Sequence, residues 1–134
     1  MKRVQAGFTM IELIVVIVIL GVLAAVALPK FIDVRSDAQA SSLAGVVGAA
    51  TTAMNLNYSG CSVTNHTVTA NKCVAVDDCD DVASLLQGGL PSGSNGFTVT
   101  AAAIGAGNGT TASCTLTQTS GGATGTFTAI RAGT

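Results

Sequence analysis

Four cysteines are the most reactive side chains of this 134-residue sequence, and all of them follow residue 60: Cys61, Cys73, Cys79 and Cys114. Thiols in such a set can coordinate zinc or oxidise to disulfides. The sequence has no Cys-x-x-Cys pair and a single histidine, His66, which disfavours zinc. We therefore predict two disulfides and an oxidising compartment.

The pairing of the cysteines is less constrained, because four cysteines allow three arrangements. We favour Cys61–Cys73, which closes a short local loop, and Cys79–Cys114, which joins an acidic loop to a predicted strand. Closing loops of this size typically contributes about 2–4 kcal/mol each. A small domain with no tryptophan and one tyrosine needs such cross-links, because its apolar core is thin.

Aspartates flank Cys79 on both sides, at positions 77, 78, 80 and 81. Carboxylates on one loop are the ligands that calcium prefers, but this spacing does not match an EF-hand loop. The alternative is a helix start, in which Asp80 or Asp81 caps a short helix over 82–87 and Gly88 ends it. The capping interpretation is favoured, and no metal site is predicted.

No arrangement of residues typical of an enzyme is present. A catalytic triad would depend on His66, the only histidine. The glycine-rich segment 105–109 lacks the lysine and the following helix of a phosphate-binding loop. Basic residues cluster only at Lys2-Arg3, which is too little for a nucleic-acid surface. We predict a non-enzymatic chain without a cofactor or a direct nucleic-acid site.

Glu12 is the remaining group of chemical interest, because it is the only charged residue between Met10 and Leu28. The uncharged residues around it form an apolar run over 8–28, and a bilayer core of ~30 Å needs about 20 helical residues. Lys2 and Arg3 place the start of the run in the cytoplasm. The sequence thus predicts a membrane-spanning helix that carries a carboxylate, which costs a few kcal/mol unless it finds a partner.

The spanning helix contains no cation that could pair with Glu12. Cleavage of the chain after Gly7 would create one, the free amine of Phe8. Pairing within one chain is awkward, because Glu12 lies one turn further along the helix. Pairing between neighbouring helices is easy, and it would set the axial register of a stack of subunits.

The segment Gly7-Phe8-Thr9-Met10-Ile11-Glu12, followed by an apolar run and Pro29, resembles the processing signature of type IV pilins and of the pseudopilins of type II secretion. The resemblance covers about residues 1 to 58. It implies that residues 1–7 are a leader, that a prepilin peptidase cleaves after Gly7 and methylates Phe8, and that Glu12 recruits the subunit and pairs with a neighbour's amine. Removal of Lys2 and Arg3 would take the net charge from −1 to −3.

The long helix should continue beyond the membrane. Gly21 lowers helix propensity by about 1 kcal/mol relative to Ala, and Pro29 should kink or break the helix. The resemblance implies that the helix can melt between these positions in a filament. From 29 to 58 the helix should be amphipathic and end at Gly60, with one face towards the domain. That face comprises Leu43, Val46, Val47, Ala50, Met54 and Asn57.

The polar segment 59–134 reads as a small disulfide-bonded sheet domain. Runs with β-branched alternation predict strands over 97–104, 112–119 and 125–130. Shorter extended pieces are predicted over 62–64, 67–70 and 73–76. The expected fold class is α+β, in which a long N-terminal helix packs on an antiparallel sheet of three to four strands. This is the pilin fold that the resemblance implies.

The resemblance to type IVa pilins, including the mannose-sensitive haemagglutinin branch, implies a major structural subunit of an extracellular filament that serves adhesion or motility. Its partners would be further copies of itself, the prepilin peptidase and an inner-membrane assembly platform, with the membrane holding the precursor. One alternative is a minor pilin or a pseudopilin with the same N-terminus. The other is a monomeric membrane-anchored binding protein, which would keep its leader.

Overall fold

A computed structural model describes the backbone of residues 7–134, and the side chains of that range apart from residues 29–33. The chain divides into two compact units, Met1–Gln39 and Ala40–Thr134. Helix α1 spans Met10–Val63, a single 3-10 turn spans Cys79–Asp81 and helix α2 spans Val82–Leu85. Strands β1, β2 and β3 span Phe97–Val99, Thr111–Gln118 and Thr124–Ile130. The predicted α+β class is confirmed.

The helical backbone of α1 runs without a break through residues 29–33. The predicted break at Pro29 is therefore wrong, while a kink there stays a prediction. A proline removes a single amide donor, and the turns on either side keep their own hydrogen bonds. The side chain of Pro29 lies outside the described residues.

The C-terminus of α1 lies at Val63, so the predicted end at Gly60 is wrong. The helix ends where Asn65 and His66 adopt left-handed backbone angles, with φ of 51° and 57°. The amide of His66 donates to the carbonyl of Cys61 at 2.7 Å, which satisfies one of the last free carbonyls of the helix. The predicted extended piece over 62–64 is consequently wrong as well, because residues 62 and 63 are helical.

Gly60 does not terminate the helix; it allows the backbone of Lys72 to pack closely against α1. A Cβ atom at this position would collide with the carbonyl oxygen of Lys72, so only glycine lets the loop lie against the last turns of α1. The adjacent Cys61 is bonded to Cys73, with Cα atoms 4.5 Å apart. The glycine and the disulfide together hold residues 72 and 73 on the helix.

The predicted core face of α1 is confirmed within the unit Ala40–Thr134. Leu43, Ala50 and Met54 are buried, and they join the same core cluster as strand residues Leu116 and Phe127. Val46 and Val47 pack against that cluster. Asn57, buried on the same face, binds the loop at two points: its Nδ2 donates to the carbonyl of Val74 and its Oδ1 accepts from the Val74 amide, both at 2.9 Å.

The sheet is antiparallel, with strand order β1-β2-β3. Strand β1 is shorter than predicted, because residues after Val99 leave the sheet and bind the acidic loop. The carbonyl of Ala102 accepts from the Cys79 amide at 3.0 Å, and the amide of Ile104 donates to the Asp77 carbonyl at 2.8 Å. Strands β2 and β3 lie close to their predicted ranges. The predicted extended pieces over 67–70 and 73–76 form only isolated β-bridges, which pair Thr69 with Cys73 and Val76 with Ala132.

The second disulfide joins Cys79 in the 3-10 turn to Cys114 in β2, with Cα atoms 5.6 Å apart. Both cysteines are buried in the main core cluster. This pairing confirms the Cys79–Cys114 prediction. It ties the acidic loop to the central strand, so the loop can hold a fixed conformation with little regular secondary structure of its own.

Substitution Gly60→Ala should lower the free energy of unfolding by about 1–3 kcal/mol, because the added methyl group pushes the backbone of Lys72 away from α1. Gly45→Ala is the matched control, since a Cβ there meets nothing within 4 Å and should stabilise the helix by about 1 kcal/mol. Thermal unfolding of both variants, with disulfides intact, measures the difference. Equal stabilities for the two variants would show that the loop does not depend on the glycine.

Candidate assembly site

The N-terminal part of α1 exposes an apolar surface along its whole length. The span Met10–Leu28 has a mean hydropathy of 3.1, and none of it is buried inside the protein. Phe8, just before the helix, is 86% exposed. Length and composition allow this helix to cross a membrane.

Thr9 and Glu12 form a capping box at the start of α1. The carbonyl of Thr9 accepts the first helical hydrogen bond, from the amide of Leu13 at 3.2 Å. Glu12 Oε2 accepts from the Thr9 amide at 2.9 Å and from the Thr9 hydroxyl at 2.7 Å. The Glu12 amide in turn faces the Thr9 Oγ1 at 3.4 Å. Two amides that a helix N-terminus would leave without an acceptor are thus oriented towards side-chain oxygens of the same chain.

This geometry changes the interpretation of Glu12. Besides the predicted cation of a neighbouring chain, the hydroxyl and the amide of Thr9 are partners of this carboxylate. The signal was present, because Thr9-Met10-Ile11-Glu12 fits the Ser/Thr-x-x-Glu/Gln pattern of a capping box before an apolar run. A negative charge is also favourable near the positive end of the helix dipole.

The capping box leaves part of the carboxylate available. Both donors bind Oε2, and Glu12 Oε1 has no protein donor among the residues that the structure describes. Phe8 and Gly7 lie immediately before the box, and a Cβ at Gly7 would meet nothing within 4 Å. The structure therefore brings Thr9 and Glu12 together, and Phe8 directly precedes them in the chain. Gly21 and Pro29 lie further along α1, and the surroundings of Gly21 are likewise open.

The acidic loop is organised as a second capping box, one turn before the predicted helix start. Asp81 is the N-cap residue of α2, as predicted, but its side chain makes no capping hydrogen bond to that helix. The capping box belongs to the 3-10 turn Cys79–Asp81, whose N-cap is Asp78. The Asp78 Oδ1 accepts from the amides of Ala102 at 2.8 Å and Asp80 at 3.4 Å. The Asp81 Oδ2 accepts from the amides of Asp77 and Asp78 at 2.9 and 3.0 Å. The Asp78 carboxylate is held in place by its bond to Ala102, which is remote in sequence.

The carboxylates of the acidic loop titrate differently from one another. Burial acts to raise the pKa of Asp78, but amide donors from Ala102, Asp80 and Cys79 outweigh it and hold that pKa below its ordinary value. The pKa of Asp80 is raised, first by the hydrogen bond that its protonated form makes with the Asp78 carboxylate, then by burial and by the Asp78 charge. Asp78 therefore keeps its charge while Asp80 takes up a proton more readily.

The other candidate groups serve structural contacts. His66 lies against Tyr58, with ring centroids 5.5 Å apart. In the described part of the chain, no group of three or more His, Cys, Asp or Glu residues is arranged to hold a metal ion. A groove beside the last turns of α1 has walls of apolar, amide and hydroxyl groups together with Lys72. None of these features combines a nucleophile with a base.

Comparison with known proteins matches residues 2–28 to the family model described as the prokaryotic N-terminal methylation motif. The chain is also 33% identical over 88 residues to the type IV narrow pilus major component of Thermus thermophilus, covering 66% of each chain. The chain belongs to the type IV pilin family. The capping box at Thr9 and Glu12 lies inside the matched motif, so the pilin signature and the structural start of α1 coincide.

Other relatives of this pilin match it over shorter stretches. The type IV major alpha-pilin of Moraxella bovis is 47% identical over 51 residues, which cover 38% of this chain and 32% of the relative. The type IV major pilin of Neisseria gonorrhoeae is 56% identical over 41 residues, which cover 31% of this chain and 25% of the relative. The matches thus cover less than two thirds of these relatives. No solved structure matches the chain.

Substitution Thr9→Val should fray the first turn of α1, because it removes the hydroxyl that binds Glu12 while keeping the side-chain shape. Loss of an N-cap of this kind costs about 1 kcal/mol. Hydrogen exchange of the full chain in lipid nanodiscs should show severalfold faster exchange at Met10 to Leu13. Thr9→Ser, which keeps the hydroxyl, is the control, and equal exchange in both variants would contradict the capping role.

The acidic loop should make stability depend on pH in two opposite steps. As pH falls from about 7, the folded state first gains a proton at Asp80, so stability rises slightly as the pH passes through the raised pKa of that group. Below the ordinary aspartate pKa of 3.8, Asp78 becomes protonated in the unfolded state but stays ionised in the folded state. Stability therefore falls as the pH drops towards the lowered pKa of Asp78. Thermal unfolding followed by circular dichroism should resolve both steps.

Two variants separate these contributions. Asp80→Asn should remove the initial rise and leave the acid loss, whereas Asp78→Asn should weaken the acid loss and lower the melting temperature at neutral pH. An Asp78→Asn variant with the wild-type pH profile would contradict the assignment of Asp78 as the cap. Asp37→Asn, which changes an exposed carboxylate of α1 in the other compact unit, is the matched control.

Proposed function

We propose that this protein is the major structural subunit of an extracellular type IV pilus. In this proposal the leader 1–7 is removed after Gly7, Phe8 is N-methylated and the subunits polymerise by bundling their α1 helices. The observation that carries the proposal is the fully exposed apolar surface of Met10–Leu28, which starts at a capped carboxylate.

The apolar surface requires a partner because of its size. An exposed hydrophobic helix of this length is not stable in water, and monomeric proteins rarely show large contiguous apolar patches. A bilayer covers such a helix before assembly, and parallel copies of the same helix cover it in a filament. Segment 8–28 thus serves in turn as membrane anchor and assembly element, segment 29–58 supports the domain, and segment 59–134 forms the filament surface.

The carboxylate of Glu12 supplies the register for that bundle. Thr9 binds Oε2 and thereby fixes the orientation of the carboxylate, while Oε1 faces no donor of the described chain. The methylated amine of Phe8 on a neighbouring subunit is a cation of the right charge for Oε1. A carboxylate in an apolar bundle gains from an ion pair because the alternative is an unpaired charge.

Assembly from a membrane-anchored precursor also requires an inner membrane, a peptidase and an assembly platform as partners. The precursor would sit in the inner membrane with its N-terminus in the cytoplasm, where the prepilin peptidase and the assembly platform act on it. The mature subunit would then reside in the extracellular filament, or fimbrium, and serve cell adhesion or motility without catalysing a reaction.

A minor pilin or a pseudopilin would use the same N-terminus and is the second candidate. Relatives named as major pilins favour the major subunit. A monomeric membrane-anchored binding protein is a weaker alternative, because a monomer has no neighbouring subunit whose amine could pair with the Glu12 carboxylate.

Intact-mass and N-terminal mass spectrometry of filaments sheared from cells tests the proposal. The dominant species should begin at methylated Phe8 and be lighter than the reduced chain by the hydrogens of both disulfides. A mature species found only in the inner membrane would favour the minor pilin or pseudopilin. A chain that still begins at Met1 would leave only the membrane-anchored domain.

Substitution Glu12→Ala should leave cleavage after Gly7 largely intact and reduce the amount of sheared filament at least tenfold, because the pairing with the neighbouring amine is lost. Asp37→Ala, which removes a carboxylate of α1 outside the membrane span, should assemble normally. Normal filaments from Glu12→Ala would refute the charge-pairing account. A Gly7→Val variant should accumulate as uncleaved precursor, and mature protein from it would refute the processing site.

A further inference from the structure

Strand β3 lies at the edge of the sheet, and half of its backbone groups point away from β2. The amide of Gln118 in β2 donates to the carbonyl of Ala123 at 2.8 Å. At the other end of the pair, the Arg131 amide donates to the Thr110 carbonyl at 2.8 Å. Because bonded positions alternate along an antiparallel pair, odd-numbered residues of β3 bind β2 and even-numbered residues direct their backbone groups outward. These residues, called here the outer edge, are Thr124, Thr126, Thr128 and Ile130.

The next outward position of the same edge, Ala132, already holds a piece of extended chain. The Val76 amide donates to the Ala132 carbonyl at 2.8 Å, and the Ala132 amide donates to the Val76 carbonyl at 3.1 Å. This pair is an antiparallel bridge, so the edge has the geometry that strand pairing requires. Beyond Val76 the chain leaves the edge for the acidic loop, where Asp78 pairs with Ala103.

No group of the described chain binds the outer edge itself. Neither the backbone nor the side chains of the described residues make a hydrogen bond to the outward amides and carbonyls of Thr124, Thr126, Thr128 or Ile130. The side chains of the three threonines are exposed, so no other segment covers them. Each residue of the outer edge therefore offers one amide donor and one carbonyl acceptor to a partner.

The outer edge lacks the features that normally prevent a sheet edge from pairing. Such features are charged side chains, proline, bulges and very short strands. Strand β3 has seven residues, none of them charged or proline, and its register with β2 contains no bulge. The sequence has no Asp, Glu, Lys or Arg between Asp81 and Arg131. An edge of this kind is a template for a further extended chain.

We propose that the outer edge pairs with the same edge of a second copy of this protein, so that three strands from each copy form one continuous antiparallel sheet. Strand β3 is itself an extended chain with matching free donors and acceptors. Self-pairing brings no like charges together, because the strand carries none. A two-fold axis lets one patch serve both copies, which is the commonest symmetry of protein dimers.

The position of the two-fold axis follows from the groups available. With the axis at Phe127, Thr126 of one copy lies opposite Thr128 of the other, and Thr124 lies opposite Ile130. Every outward amide and carbonyl then has a partner, since each such pair exchanges two hydrogen bonds. An axis at Thr126 would leave Ile130 without a partner. The register centred on Phe127 also places threonines opposite each other on the outer face, a favourable cross-strand pair.

The two ends of the outer edge fit a strand of this length. Immediately before Thr124 the hairpin turns back towards β2, as the Gly122 amide donates to the Gln118 carbonyl at 3.1 Å. Beyond Ile130 the edge is occupied by Val76. In the antiparallel arrangement the hairpin of one copy reaches the bridge of the other and turns away from it. The second copy therefore pairs along the whole outer edge without displacing the bridge.

This contact lies within the unit Ala40–Thr134 and is independent of the proposed function. Pairing of two edges buries little apolar surface, so the association should be weak and should increase with protein concentration. The relevant measurements therefore follow concentration, and neither of them reads filament formation. A failure of the proposed function would leave their outcomes unchanged.

Hydrogen exchange of the full chain in lipid nanodiscs, with one copy in each disc, tests the pairing at single-residue resolution. In dilute samples the amides of Thr126 and Thr128 should exchange rapidly, whereas the Phe127 amide, which binds β2, should exchange slowly. As the concentration rises, exchange at Thr126 and Thr128 should slow severalfold. Sedimentation of the same samples should show pairs of discs.

A charge exchange tests the register. A variant with Thr126→Lys and Thr128→Lys should stay as single discs, because like charges face each other across the axis. A variant with Thr126→Glu and Thr128→Glu should do the same, while an equal mixture of the two should associate at least as well as wild type. The matched control carries Ser94→Lys and Asn95→Lys in the exposed turn before β1, and it should associate like wild type.

Three results would overturn the proposal. The first is wild-type protein that stays single up to about 1 mM, the range of the weakest specific complexes. The second is undiminished association of the lysine variant, or no association in the mixture although circular dichroism shows both variants folded. The third is concentration-dependent protection elsewhere but not at Thr126 and Thr128, which decides the matter from wild type alone if a charged variant does not fold.

Discussion

The exposure of an apolar helix that bears a single carboxylate is the constraint on which the rest of this pilin depends. The span Met10–Leu28 buries nothing within the chain, so lipid or other helices must replace water around it. Within that span only Glu12 is charged, and Thr9 satisfies half of its carboxylate. The capping box makes the helix start compatible with a membrane while it leaves one oxygen for a partner.

The second half of α1 has a different role from the first, although the helix is continuous. Its buried face, through Leu43, Ala50 and Met54, supplies the central layer of a domain with few aromatic residues. The same helix anchors the following loop through Asn57 and through the bond between Cys61 and Cys73. One helix thus provides both an exposed apolar surface and part of the core of the folded domain.

Polar interactions hold the segment between the helix and the sheet. Asp78 and Asp81 accept amide hydrogen bonds that regular structure would otherwise satisfy, and the disulfide from Cys79 to Cys114 attaches this loop to the central strand. The carboxylates are therefore part of the backbone hydrogen-bonding scheme. The outer edge of β3, by contrast, carries backbone groups that no part of the described chain binds.

The sequence by itself determined the features that depend on local pattern and covalent chemistry. These are the apolar span, the N-terminal methylation motif within residues 2–28, the buried face of α1 and the approximate strands β2 and β3, because periodicity and residue type act over a few neighbours. Only the tertiary structure decided where α1 ends, why Gly60 is glycine, where β1 stops and that Asp78 caps the 3-10 turn. Each of these depends on a contact between residues remote in sequence, such as Gly60 with Lys72 or Asp78 with Ala102, whose approach no local propensity encodes.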